Sequence, residues 1–211
     1  MRIVALLSDG IDSPVALYLA LRHEGVEGEV LNFIPGDAHE NYANKIKACV
    51  KHVQSLVGKK IPINFAKQKI IANILEEIKE RHERYRCILC KRFMYRSAQL
   101  IALRGHAKAI VTGENIGQVA SQTVANLAVI ESAITLPVVR PLLGMNKEEI
   151  IDISRKLGLF EISSKNMWKC SIAPKRPILK ARLSIVRDIE NTISVDSIIE
   201  DVVKSIKVVS V

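Results

Sequence analysis

The stretch Met1–Val15, MRIVALLSDGIDSPV, decides how the chain reads. The apolar run Ile3–Leu7 stops at Ser8-Asp9-Gly10-Ile11-Asp12-Ser13 and passes into the apolar, helix-compatible Pro14–Arg22. A buried strand, a tight polar turn and a helix start fit that order, with Asp12, Ser13 and Pro14 making the helix entry. Such a turn aims backbone N–H groups and hydroxyls from the positive end of a helix, where an anion, above all a phosphate, is stabilised. Gly10 lets the backbone approach that anion closely and take positive φ if required. Ser8 and Ser13 offer hydroxyls, and Asp12 a carboxylate able to hold Mg2+ or to order the loop. The glycine spacing is neither the dinucleotide fingerprint nor the Walker lysine loop.

Outward from this turn, Glu29–Ile34, Lys60–Phe65 and Ala107–Thr112 read as further short buried strands, with Leu136–Val139 a weaker one. Helical patterns lie between them at Pro14–His23, Asn41–Val57, Gln68–Arg84, Lys91–Arg104, Gln118–Glu131 and Lys147–Leu157. Strand alternating with helix predicts an α/β fold, a Rossmann-like doubly wound parallel sheet covered on both faces. Ligands of such sheets sit beyond the carboxyl ends of the strands, where Ser8–Ser13 and Thr112–Asn115 fall. Gly158 suits the turn after the helix ending at Leu157. Periodicity fades from Phe160 to Pro177, a segment that holds Cys170. The division expected is a nucleotide-handling domain over 1–177 and a short helical C-terminal extension over 178–211. The extension carries amphipathic patterns at Leu179–Ile189 and Val195–Ile206, which pack back on the domain or on a partner subunit.

With 211 residues and 48% apolar content, the chain can bury one sizeable core. No run approaches the roughly 18 apolar residues of a membrane helix, and Ser8-Asp9 comes too early for a secretory leader, so a cytoplasmic protein is expected. Against 22 acidic residues stand 31 Lys and Arg, a formal charge of +9 that favours a polyanionic partner such as RNA. The basic residues cluster in Lys79–Arg96 and Lys165–Arg187. A run such as Lys79, Arg81, Arg84 and Arg86 can face phosphate or simply solvent. Aromatics make up only 4% of the chain, which argues against a stacking platform for single-stranded bases. The five histidines share no catalytic spacing.

Four cysteines in such a chain are ligands, reactive thiols or core rather than a disulfide framework. Cys49 falls in the helical pattern Ile46, Cys49, Val50, Val53 and reads as core. Cys87-Ile-Leu-Cys90 can clasp a soft metal or cluster, with Cys170 as a third thiol brought in by folding. Zinc would need a fourth donor. His82 and His106 are available, but neither stands at zinc-finger spacing.

SDGIDSPVA at Ser8–Ala16 resembles the PP-loop of ATP pyrophosphatases. Together with CKRFMYR (Cys90–Arg96), TGENIGQVASQTVANL (Thr112–Leu127), LPVVRPL (Leu136–Leu142) and KEEII (Lys147–Ile151), it is similar to the catalytic domain of the tRNA 4-thiouridine synthetase family. The resemblance implies an ATP site at Leu6, Leu7, Ser8, Gly10, Asp12, Ser13, Asn32, Phe33, Lys91, Gly113 and Gln122. Phe33 would face adenine, Lys91 would meet phosphate, and Gly113 would leave room for close backbone approach. It further implies Mg2+, with Asp12 and Cys170 catalytic. Sulfur would be carried either as a persulfide on Cys170, its thiolate favoured by Lys169, Lys175 and Arg176, or on an iron–sulfur cluster held by Cys87, Cys90 and Cys170.

The reaction implied is adenylation of a uridine in tRNA, at position 8, and replacement of its carbonyl oxygen by sulfur to give 4-thiouridine. Sulfur would come from a donor protein or inorganic sulfide. Another PP-loop thiolase, an amide-forming adenylating ligase, or a non-catalytic nucleotide-binding subunit are the alternatives. Two departures from the family stand out. Asp9 occupies the place of a second glycine, where its charge would repel phosphate unless it turned away or met Mg2+. Family members also carry an N-terminal ferredoxin-like and RNA-binding (THUMP) region, and some a C-terminal rhodanese domain. Without these, RNA would be gripped by the basic surface, by a homodimer or by a separate THUMP-type protein.

Overall fold

Side chains alternate across a strand with a period of two, and in the first strand that alternation divides the core. In β1 (Arg2–Leu6), Ile3 and Ala5 enter one apolar layer while Val4 and Leu6 enter the other. The computed structural model describes residues 1–36, 40–165, 167–168 and 170–211; Lys169, named above from the sequence, lies outside the described residues. Helix α1 (Asp12–Leu21) leads to β2 (Glu27–Ile34), α2 (Glu40–Val57), β3 (Ile63–Lys67) and α3 (Gln68–Glu77). A 3-10 turn over Glu80–Tyr85 opens α4 (Arg86–Arg104), followed by β4 (Ala109–Thr112), a 3-10 turn at Ala120–Gln122, α5 (Val124–Glu131) and β5 (Val138–Val139). The chain continues through α6 (Lys147–Lys156), α7 (Phe160–Ser163), α8 (Leu183–Glu190), α9 (Val195–Lys204) and β6 (Lys207–Val209).

The strands form one sheet in the order β5-β4-β1-β2-β3-β6, parallel except for β6, which is antiparallel to β3. The expected doubly wound α/β sheet is therefore present. Helices α1, α2 and α6 cover one face, packing Val15, Leu17, Ile46, Val50 and Ile150 against β1–β4. Helices α3, α4, α5, α8 and α9 cover the other, with Ile71, Ile88, Phe93, Ile130, Val186 and Val202. Cys49 is buried as expected. Gly158 has φ of 70° just past α6, and Asn146 with Glu149 forms a capping box at that helix's start.

Several elements differ from the sequence expectation. The pattern over Gln68–Arg84 is two pieces, because Ile78 and Lys79 adopt extended ψ values of 143° and 139°. Helix α4 begins at Arg86 rather than at Lys91, so Cys87 and Cys90 lie in its opening turns. Gln118–Glu131 is α-helical only from Val124, after the 3-10 turn at Ala120–Gln122, and Thr123 accepts a hydrogen bond from the Asn126 N–H at 3.2 Å. The tail packs on its own domain, as one of the two expectations had it, and it adds a strand as well as helices. Glu190, 7% exposed, receives paired hydrogen bonds from Arg92 (2.8 and 2.9 Å) and Arg96 (2.6 and 3.0 Å). Buried Asn126 holds the backbone of Ile178 and Ala181 at 2.8 Å each. Among the described residues, no helix is long and apolar enough to cross a membrane.

Candidate active site

The strand order reverses between β1 and β4, and the loops leaving their carboxyl ends meet there. Leu6 is in register with Leu31 on one side and Thr112 on the other, so the turn Ser8–Ile11 stands beside Asn32 and Gly113. Ser13 closes that turn. Its hydroxyl accepts from the Ser8 N–H at 2.8 Å, lies 3.0 Å from the Ser8 hydroxyl and donates to the Ser8 carbonyl at 3.2 Å. The Gly10 N–H points to the Ser8 hydroxyl at 3.4 Å. Ile11 precedes α1 and provides no side-chain cap, so the helix presents its leading N–H groups to whatever lies in the turn. Gly10 does not use positive φ; a Cβ there would meet only the Ser8 hydroxyl, at 3.6 Å.

A cavity of about 340 Å³ opens over this turn. Of the residues expected at a nucleotide, Leu6, Leu7, Ser8, Gly10, Asp12, Ser13, Phe33, Lys91, Gly113 and Gln122 line it. Asn32 does not. It is 1% exposed beneath the turn, where its amide donates to the Leu7 carbonyl at 2.8 Å and to the Tyr42 hydroxyl at 3.3 Å. Gly113 provides room for the protein rather than for a ligand: a Cβ there would come within 2.7 Å of both Cα and N of Ser13. That contact holds the end of β4 against the start of α1.

The cavity also has walls that sequence reasoning missed. Glu114, 5% exposed, accepts from Lys91 at 2.7 Å, Arg140 at 3.0 Å, Thr112 at 3.2 Å and the Tyr95 hydroxyl. Burial pushes its carboxyl up, but Lys91, Tyr95 and Arg140 outweigh burial and hold it at about 2. Lys91 thus reaches the cavity as half of an ion pair. Lys147, at the start of α6, places its ammonium 2.5 Å from Asp12 Oδ1. The only signals for these residues were their presence in TGENIGQ, LPVVRPL and KEEII. Asp9, Leu31, Tyr42, Gln68, Met94 and Trp168 complete the lining.

Asp9 borders the cavity, and its carboxylate Oδ2 accepts the Met167 N–H at 2.8 Å. The three thiols come into mutual electrostatic reach. Burial raises the Cys87 thiol and the charge of Cys170 raises it further; burial, Cys170 and Cys87 push Cys90 up to about 12. None of the three lines the cavity, although Gln68 touches both the cavity and the Cys90 thiol. Among the described residues, no three Cys, His, Asp or Glu side chains gather closely enough to hold a metal ion.

The fold is shared with known proteins. A crystal structure of a 4-thiouridine synthetase–RNA complex with bound ATP superposes with a TM-score of 0.93 at 34% identity, over 100% of this chain and 55% of that one. A probable tRNA sulfurtransferase of Methanocaldococcus jannaschii is 36% identical over 193 residues, covering 91% of this chain and 50% of that protein. At the level of fold alone, the U34-tRNA thiolase NcsA from Methanococcus maripaludis with its [4Fe-4S] cluster matches with a TM-score of 0.52 and 16% identity, over 97% of this chain and 70% of that one. The chain spans about half the length of the curated relatives it matches. The family model described as thiamine biosynthesis protein (ThiI) matches residues 1–195, and the chain belongs to that family.

Proposed function

We propose that this chain is the ATP-activating catalytic part of a tRNA sulfurtransferase that makes 4-thiouridine. The observation that carries the reading is the cavity at the β1/β4 switch point, walled by the Ser8–Ser13 turn and by the Phe33 ring. ATP fits that chemistry. The free N–H groups of α1, with the Gly10 N–H and the Ser8 hydroxyl, would donate to phosphate oxygens, and Phe33 with Leu6 and Leu7 would contact adenine. Mg2+ also fits, because Asp12 is a single carboxylate at the rim, suited to an ion that brings water and phosphate oxygens as its remaining ligands. Bound there, it would neutralise phosphate charge. Lys147 holds Asp12 in place and adds positive charge at the same rim.

In the reaction, the uracil carbonyl oxygen attacks the α-phosphate, a new P–O bond forms and pyrophosphate leaves. The terminal sulfur of a Cys170 persulfide then bonds to the activated carbon, and AMP leaves with the original oxygen. A neighbouring thiol, Cys87 or Cys90, cleaves the remaining S–S bond to release the thiolated base, and the resulting protein disulfide is restored by an external thiol. An iron–sulfur centre on Cys87, Cys90 and Cys170 would be the other way to carry sulfur. As the described side chains stand they do not close into a ligand set, and no step runs through it.

For the RNA, Lys79, Arg81 and Arg84 share an exposed surface with Lys175, Arg176 and Lys180, joined where Arg84 Nε donates to the Arg176 carbonyl at 2.9 Å. A second copy of the chain or a separate RNA-binding protein would extend that grip, and the outer sulfur of the persulfide would come from a donor protein that carries sulfane sulfur, or from inorganic sulfide opening the Cys170 disulfide in place of the external thiol. Pyrophosphate release from ATP tests the reading. It is expected to depend on tRNA and to persist in Cys170→Ser while thiolation is lost. Thiolation that survives Cys170→Ser would overturn the sulfur role, and no tRNA-dependent release would overturn the whole reading.

A further inference from the structure

Asp9 and Lys45 meet the segment that follows α7 in a way the nucleotide reading does not use. Lys45, on α2, donates to the Asp9 carbonyl at 2.5 Å, to the Ser163 carbonyl at 3.1 Å and to the Lys165 carbonyl. The Asp9 carboxylate in turn holds the Met167 N–H at 2.8 Å. Its charge is felt by Tyr42, Lys45 and Cys49, all on α2. Two residues' side chains therefore tie three pieces of chain together: the turn after β1, helix α2 and the backbone at Ser163, Lys165 and Met167. The next residue, Trp168, lines the cavity, and Cys170 follows two residues later.

We propose that Asp9 is a positioning residue whose carboxylate fastens the segment bearing Trp168 and Cys170 against the cavity; this rests on the nucleotide reading of that cavity. A glycine at this place in the turn would leave the Met167 N–H without its carboxylate acceptor. The carboxylate is engaged by the strap, so the same turn can both cradle an anion and hold the segment leading to Trp168 beside it.

Trp168 is the sole tryptophan of the chain, which makes its fluorescence a direct readout of the strap. In protein free of nucleotide and RNA, with folding checked by circular dichroism, Asp9→Gly is expected to raise acrylamide quenching of Trp168 about twofold, as a locally opened segment would. Asp9→Asn keeps a side-chain acceptor for the Met167 N–H and is expected to stay close to the parent. Lys45→Met, which leaves the turn sequence intact, is expected to raise quenching as Asp9→Gly does. Unchanged quenching in Asp9→Gly and Lys45→Met, or an equal rise in Asp9→Asn, would overturn the proposal. Calorimetric titration of the parent with ATP separates the two readings: an absence of ATP binding would sink the nucleotide reading, while the quenching result tells only on the strap.

Discussion

Lys147, the first residue of α6, places its ammonium 2.5 Å from Oδ1 of Asp12, the first residue of α1. The two elements are far apart in sequence, and their meeting sets a cation at the rim of the phosphate turn. The pair is partly solvated, with Lys147 46% exposed, so its worth to stability is small, about 0–1 kcal/mol. Its worth to chemistry is larger if charge builds on phosphate there. We expect Lys147→Met to melt within a few degrees of the parent and to lose roughly 100-fold in tRNA-dependent pyrophosphate release. A melt at the parent temperature with full pyrophosphate release would show that the lysine serves neither role.

Acid should unfold the protein through two carboxylates. Burial alone would raise Glu114 and Glu190, yet Lys91, Tyr95 and Arg140 hold the first at about 2, and Arg92 and Arg96 hold the second at about 2, against an ordinary 4.5. A depressed folded pKa gives stability that is fully present above pH 4.5 and is lost as pH falls toward 2. Denaturant titrations across this window should show stability falling steeply as pH drops. Glu114→Gln leaves Lys91 and Arg140 without their charge partner, so we expect it to cost roughly 3–5 kcal/mol at pH 7 and to flatten the acid limb. An acid limb unchanged by that substitution would remove Glu114 from the account.

Gly113 tests how tightly the two halves of the site must approach. A Cβ there would sit 2.7 Å from the Ser13 backbone, which has no flexible end to swing aside. Gly113→Ala is therefore expected to cost about 1–3 kcal/mol in thermal or denaturant unfolding. Because the strain falls on the turn, ATP affinity measured by calorimetry should weaken as well. Parent-like stability and affinity would mean that β4 and α1 can part without consequence.

The strands β1 to β4 and the phosphate turn were legible because buried parallel strands are short apolar runs and the turn is a local sequence of Ser, Asp and Gly. The break at Ile78 and Lys79 was not legible, since neither residue is Gly or Pro and the extended backbone there follows from how α3 and α4 dock. The early start of α4 was hidden for a similar reason: Tyr85 precedes it without a side-chain cap. Strand β6 escaped notice because Lys207–Val209 is three residues long and lies just past the amphipathic run Val195–Ile206. At the site, the residues on the turn could be named from sequence. The Glu114 hub could not, because it exists only where Lys91 and Tyr95 on α4, the loop after β4 and Arg140 after β5 converge. Asp9 was visible as an anomaly in a phosphate turn, but its acceptor role depends on where Met167 folds.

The most direct measurement is mass spectrometry of nucleosides from tRNA incubated with the anaerobically purified protein, ATP, Mg2+ and a sulfane-sulfur donor such as polysulfide. We expect 4-thiouridine to appear with the parent protein, to require ATP, and to vanish with Cys170→Ser while pyrophosphate is still released. tRNA returned without a thiolated nucleoside, from a protein that nonetheless binds and splits ATP, would contradict the sulfurtransferase reading and leave an adenylating enzyme of another kind.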